Sequence, residues 1–237
     1  MGLVDTSIVI YTCFTFVFFV VKSRLSKDLS THYLLLLLFL VISGIIQFSQ
    51  NCILSSSYCG EVDTKLVIYS TIIPWLVIFG GFFAGILTFP GWNRVFSNTF
   101  GSYFLKDIYG MDDILAKLFQ GNNQPNTDSK MMEMLGKIYT NKSSLIFEMD
   151  IADVTEEGAK FPTLEQLASF KYVTLPLEEK EATELKKNVY SMLFLKEDIG
   201  YAIWFWLIGI FCILVSTNTL LSSSCTPKKE NYSAIFK

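Results

Sequence analysis

Hydrophobic and polar positions sort this chain into four long uncharged stretches separated by polar segments. They run from Val4 to Val21 (apart from Asp5), from Tyr33 to Phe48, from Leu66 to Phe89 and from Gly200 to Leu221. Each is near the roughly 20 residues that a membrane-spanning helix needs. The second is the shortest, but its uncharged surroundings continue through Ser49 to Ser57, which suits a tilted span with a polar end. Between the third and fourth stretches the pattern changes to shorter helical periods. Leu105 with Ile108 and Tyr109, and Ile114 and Leu115 with Leu118, stand three and four apart, and Met131, Met134, Leu135 and Ile138 mark a second short helix. Gly121 to Ser129 is a polar loop between them. Thr163-Leu164-Glu165-Gln166, directly after Pro162, has the form of a capping box and starts a helix through Phe170. A last helix is expected from about Leu177, with Leu185, Val189, Met192 and Leu193 on one face, running into the fourth span as one rod. Strand signal is confined to Leu145 to Ile151 and Tyr172 to Leu175. The expected fold is an all-α membrane protein: three spans in residues 1–89, a mainly helical extramembrane domain inserted at 90–199, the fourth span at 200–221 and a polar tail at 222–237.

Composition agrees with a bilayer partner: 51% of the 237 residues are hydrophobic, 21 are phenylalanine and the mean hydropathy is +0.41. The first apolar run lacks a basic leader and a small-x-small cleavage site, so it reads as a retained helix. Met1-Gly2-Leu3-Val4-Asp5-Thr6 fits the short N-myristoylation pattern. Lys22, Arg24 and Lys27 in the first loop, with Arg94, Lys106, Lys186, Lys187 and Lys196 in the third, place those loops on the cytoplasmic side and the Gln50 to Thr64 loop with both termini on the translocated side. Cys52, Cys59 and Cys225 then share the translocated side and are candidates for one disulfide, in which Cys52 is expected to pair with Cys59 or Cys225, leaving one cysteine free or paired between chains; reduced cysteines are the alternative.

The span interiors carry no ionisable side chain, which disfavours a proton-coupled pump or a charge-selective pore. The third carries Pro74 and Trp75, expected to give a kink and a bulky neighbour, followed by Gly80, Gly81, Ala84 and Gly85 in overlapping small-xxx-small spacing. That spacing predicts close helix packing and self-association as a homo-oligomer. The chain's one histidine, His32, sits at a membrane edge with no nucleophile elbow near any serine, so no enzyme is expected. Metal-ligand spacings and phosphate loops are absent from the sequence, and no cofactor is expected. Asp112-Asp113, Glu156-Glu157 and Glu178-Glu179 read as solvated helix charge. A net charge of −3, with lysines interleaved with acids, argues against nucleic acid. The sequons at Asn141 and Asn231 fall on opposite expected sides.

The exit of the third span is more elaborate than a lysine flank. In Phe89-Pro90-Gly91-Trp92, Pro90 is expected to end the helix, Gly91 to permit a turn and Trp92 to sit at headgroup level. Phe96, Ser97, Asn98, Thr99, Phe100 and Gly101 follow, with the Ser-Asn-Thr cluster suited to a turn or to capping the next helix. Such a joint would hold the following helix at a fixed angle to the bilayer.

The stretch Ile73 to Gly101, "IPWLVIFGGFFAGILTFPGWNRVFSNTFG", resembles the signature of an inner-membrane minor capsid protein family of large icosahedral (nucleocytoplasmic) DNA viruses. Weaker similarity covers Cys59-Gly60, "LKEDIGYAIWFWLIGI" from Leu195 to Ile210, and Cys225. The sequence departs from the usual pattern at Val95, where proline is usual, and at Ser102-Tyr103, where Gly-Tyr is usual. The resemblance implies a structural protein of the virion inner membrane, derived from host endomembrane, whose partners are lipid and capsid or other minor capsid proteins. The expected function is to anchor or space the shell on that membrane through the helical domain. A membrane channel or transporter is the alternative, and it needs a polar path through the spans.

Overall fold

The computed structural model of the chain describes residues 3–25, 29–111, 113 and 179–223. Among these, no strand occurs and nearly every residue is helical. The helices are α1 (Leu3–Leu25), α2 (Leu29–Cys59), α3 (Thr64–Pro74), the π-helix π1 (Trp75–Gly80), α4 (Gly81–Thr88), α5 (Pro90–Phe96), a second π-helix π2 (Ser97–Gly101), α6 (Ser102–Asp107) and α7 (Glu179–Ser222). Four segments are long and apolar enough to cross a membrane: Leu3–Leu25, Ser30–Cys59, Thr64–Thr88 and Lys187–Ser222. The expected helices at 131–138 and 163–170, the polar loop at 121–129, both strand segments, Gly2 and Cys225 lie outside the described residues. The expected period through Leu118 is described only as far as α6, which ends at Asp107 before Gly110 turns the chain at a φ of 71°.

The second span differs most from its sequence reading. The expected loop from Gln50 to Thr64 is helical as far as Cys59, and the turn is only Gly60 to Asp63. Gly60 closes α2 at a φ of 83°, its N–H bonded to the Ser56 carbonyl at 3.0 Å, and the Asp63 carboxylate caps α3 by accepting from the Leu66 N–H at 3.1 Å. The polar residues that hid this extension point inward. Ser43, Gln47, Asn51 and Ser55 recur at every fourth position of α2 and all are buried. Asn51 organises the middle of this seam, its Nδ2 donating to Thr71 Oγ1 at 2.7 Å and to Ser216 Oγ at 2.6 Å while its Oδ1 accepts from Gln47 Nε2 at 3.1 Å. Polar groups that bond one another in this way are tolerated where lipid offers no partner. Elsewhere serine and threonine hydroxyls donate to carbonyls one turn back, as Thr15 does to Tyr11 at 2.9 Å and Thr88 to Ala84 at 2.8 Å.

The chain divides into two compact units, Met1–Asn93 with Tyr201–Lys237, and Arg94–Gly200. The core of the first is aromatic. Phe39, fully buried, meets the rings of Tyr11, Phe14, Phe18, Phe19, Phe79 and Phe205 at centroid distances of 5.1 to 6.3 Å. Two glycines admit the largest rings. A Cβ at Gly44 would lie 3.0 Å from the Trp75 indole, whose Nε1 donates to the Leu40 carbonyl at 3.2 Å. A Cβ at Gly209 would overlap the Tyr11 phenol, whose hydroxyl donates to the Phe205 carbonyl at 2.6 Å. Outward-facing Phe16, Leu34, Ile45, Leu76, Val77 and Phe211 present the apolar exterior that a bilayer requires.

Candidate functional site at the exit of the third span

Pro74 lacks an N–H and so cannot continue the α-ladder, and the six residues after it wind as π1. The Pro74 carbonyl accepts from the Cys212 thiol at 3.7 Å. Trp75, one residue on, stacks on Phe79 at 5.0 Å. The small residues that follow have unequal surroundings. Among the described residues, a Cβ at Gly80 would find only the Trp75 carbonyl oxygen, at 3.8 Å, and one at Gly81 nothing within 4 Å; Ala84 is exposed. Gly85 alone is a close seat, and what it seats is Trp92, 3.0 Å from the position of an added Cβ.

The exit itself turns on one non-helical residue. Phe89, at φ −118° and ψ 80°, separates α4 from α5, because the ring of a following proline excludes the α region from the residue before it. Pro90 therefore begins the next helix, and the expectation that it only terminates the third span is corrected: proline at the first helical position loses no hydrogen bond. Gly91 is helical too, not a left-handed turn, since the positive-φ glycines among the described residues are Gly60 and Gly110. Trp92 folds back over Gly85, with its ring 5.7 Å from both Phe82 and Phe89. Its carbonyl accepts from Trp204 Nε1 at 2.8 Å, and the Trp204 ring meets Phe82 at 4.9 Å. This half of the motif thus belongs to the first unit and is tied to α7 by an indole.

In the second unit, Ser97 to Gly101 form neither a turn nor a cap but π2. The Ser102 N–H and hydroxyl reach back five residues to the Ser97 carbonyl, the latter at 3.4 Å, and Thr99 Oγ1 donates to the Val95 carbonyl at 2.6 Å. Asn98 Oδ1 accepts from Lys196 Nζ at 3.2 Å, and Lys196 is fully buried. Gly101 meets the same residue from another direction, since an added Cβ would lie 2.7 Å from the Lys196 carbonyl oxygen. Two motif residues therefore converge on one lysine of α7. Phe96 packs its ring 6.0 Å from that of Phe100, which stays exposed.

Sequence reasoning missed Lys196, which it counted only as a cytoplasmic charge, and Trp204 as the partner of Trp92. The offset from Asn98 to a lysine 98 positions later carries no sequence signal. His32, expected as a buried interfacial residue, lies at the start of α2 with Nδ1 2.8 Å from Lys22 Nζ. The candidate pairing of Cys52 with Cys59 is corrected. Both lie on one continuous helix seven residues apart, an axial rise of about 10 Å that no disulfide spans. Cys13, Cys52 and Cys212 are free thiols, which also overturns the expected alternative pairing of Cys52 with Cys225.

No protein family, curated protein or solved structure matches the chain.

Proposed function

We propose that this chain is a structural, multi-span viral membrane protein that anchors or spaces an icosahedral capsid shell on the inner membrane through residues 90–199. Its partners in this reading are the bilayer and capsid or other minor capsid proteins, and its place is a virion membrane derived from host endomembrane. The carrying observation is that each unit ties its share of the exit motif to its share of α7: the Trp92 carbonyl to the Trp204 indole, and Asn98 and Gly101 to Lys196. A flexible tether has no use for such ties. We also infer that Cys59, which is not among the free thiols, pairs with Cys225. The channel alternative draws on the buried seam of α2, but both amide hydrogens of Asn51 and its oxygen are engaged by neighbouring side chains, which suits a bundle locked in register better than a path for solutes.

The test replaces Trp92 and Asn98 with alanine together. Membrane insertion is expected to persist by protease protection, while imaging of assembled particles shows failed shells or an altered gap between bilayer and shell. Loss of insertion reduces the motif to a biogenesis signal. Normal particles with an unchanged gap refute the anchoring role.

A further inference from the structure

In the second unit, the stretch from Val95 to Tyr109 is inside out relative to a helix of a water-soluble protein. The side chains turned into the fold are mostly small and polar: Ser97 is 1% exposed and Ser102 4%, and Gly101 lies against the Lys196 backbone. The large side chains turned outward are Val95, Phe100, Tyr103, Phe104, Ile108 and Tyr109, with Phe100 57% exposed, Tyr103 67% and Ile108 68%; Thr99, Lys106 and Asp107 are exposed among them. The π-turn keeps these two faces in register. Ser97 and Ser102 are five residues apart, and the i→i+5 turn of π2 returns both to the inward side. Phe100 in π2, Phe104 in α6 and Ile108, the residue after α6, recur at four.

We propose that this outward strip is a membrane-binding face lying in the interfacial layer of the bilayer, with the glycerol region and upper acyl chains of phospholipids as its occupant. Chain reach supports this occupant. Arg94 follows the end of the third span at Thr88 by six residues, which reach at most about 20 Å even when extended, so the strip begins within reach of the headgroup layer. The strip combines phenylalanine and isoleucine with two tyrosines, side chains suited to the boundary between acyl chains and water, and exposed Lys106 stands beside it where an ammonium meets lipid phosphate. In water, so many exposed large side chains on one short stretch would instead favour aggregation. The proposal does not depend on a capsid partner and holds or fails separately from the anchoring role.

The photo-crosslinking amino acid p-benzoylphenylalanine, placed at Phe100, Phe104 or Leu105 of the full chain in phosphatidylcholine–phosphatidylserine vesicles, tests it. Phe100 and Phe104 are exposed, so folding is not at stake there, and Leu105 is the inward control. Phospholipid adducts at Phe100 and Phe104 are expected to exceed those at Leu105 by an order of magnitude. Adducts to a second copy of the chain would make the strip a self-association face, and illumination that yields no adduct would place it in water; either result overturns the proposal.

Discussion

Replacing Gly101 with alanine sets two local effects against each other. Alanine is favoured over glycine in a helix by about 0.8–1 kcal/mol. Against this, the added methyl would stand 2.7 Å from the Lys196 carbonyl oxygen and 3.3 Å from Lys196 Cγ. Restoring an ordinary carbon–oxygen contact requires about 0.6 Å of separation. The obstacle is backbone and not the tip of a mobile side chain, so the cost belongs with overpacking, about 1–3 kcal/mol. If the same shift reaches Asn98, its bond to Lys196 at 3.2 Å is stretched past the hydrogen-bond limit, losing about another 1 kcal/mol. The net expectation is destabilisation by about 1–3 kcal/mol. Gly81→Ala is the control, because a methyl there meets nothing within 4 Å and only the propensity gain remains. Unfolding of the purified full chain in mixed micelles, titrated with denaturing detergent and followed by tryptophan fluorescence, measures both. Equal or higher stability of Gly101→Ala would refute the close approach of π2 to α7.

Asn51→Ala removes the centre of the seam and strands Gln47, Thr71 and Ser216; at about 0.6–1.7 kcal/mol per interhelical bond it should cost about 1–3 kcal/mol in the same titration, and a neutral result would show that the seam contributes nothing. Differential alkylation should label Cys13, Cys52 and Cys212 of the denatured chain without reductant and Cys59 only after reduction; labelling of Cys59 without reductant removes the pairing with Cys225. Replacing Gly81 and Gly85 with leucine should reduce any self-association in detergent, and an unchanged species would exclude that surface from the oligomer. Because Gly85 seats Trp92, Gly81→Leu alone separates self-association from damage to the exit.

The spans were legible because a bilayer penalises charge, and runs without charge are visible in one dimension. The length of α2 was not, because Gln47, Asn51 and Ser55 look like the edge of a membrane until their partners on α3 and α7 are known. At the exit, the motif residues were recognisable, but their conformations were not. Pro90 acts on the residue before it and then starts a helix, and a sequence rule that treats proline as a terminator sees only the first effect. Glycine spacing likewise shows that something approaches without saying what: Gly85 meets an indole seven residues later, and Gly81 meets nothing within 4 Å among the described residues. Lys196 reads as a solvated charge by residue type, yet it is buried and bonded to Asn98.

The Asn51 seam has a consequence for how the chain is made. Thr71 follows Asn51 by 20 positions, but Ser216 follows it by 165. At about 5–20 residues per second, the ribosome takes roughly ten to thirty seconds to deliver the last partner. During that interval α2 carries an amide hydrogen destined for a helix that does not yet exist. Bare hydrocarbon is a poor place to wait with an unsatisfied amide, so the first three spans should linger beside the insertion machinery or an intramembrane chaperone and be released to the lipid only when the fourth span arrives.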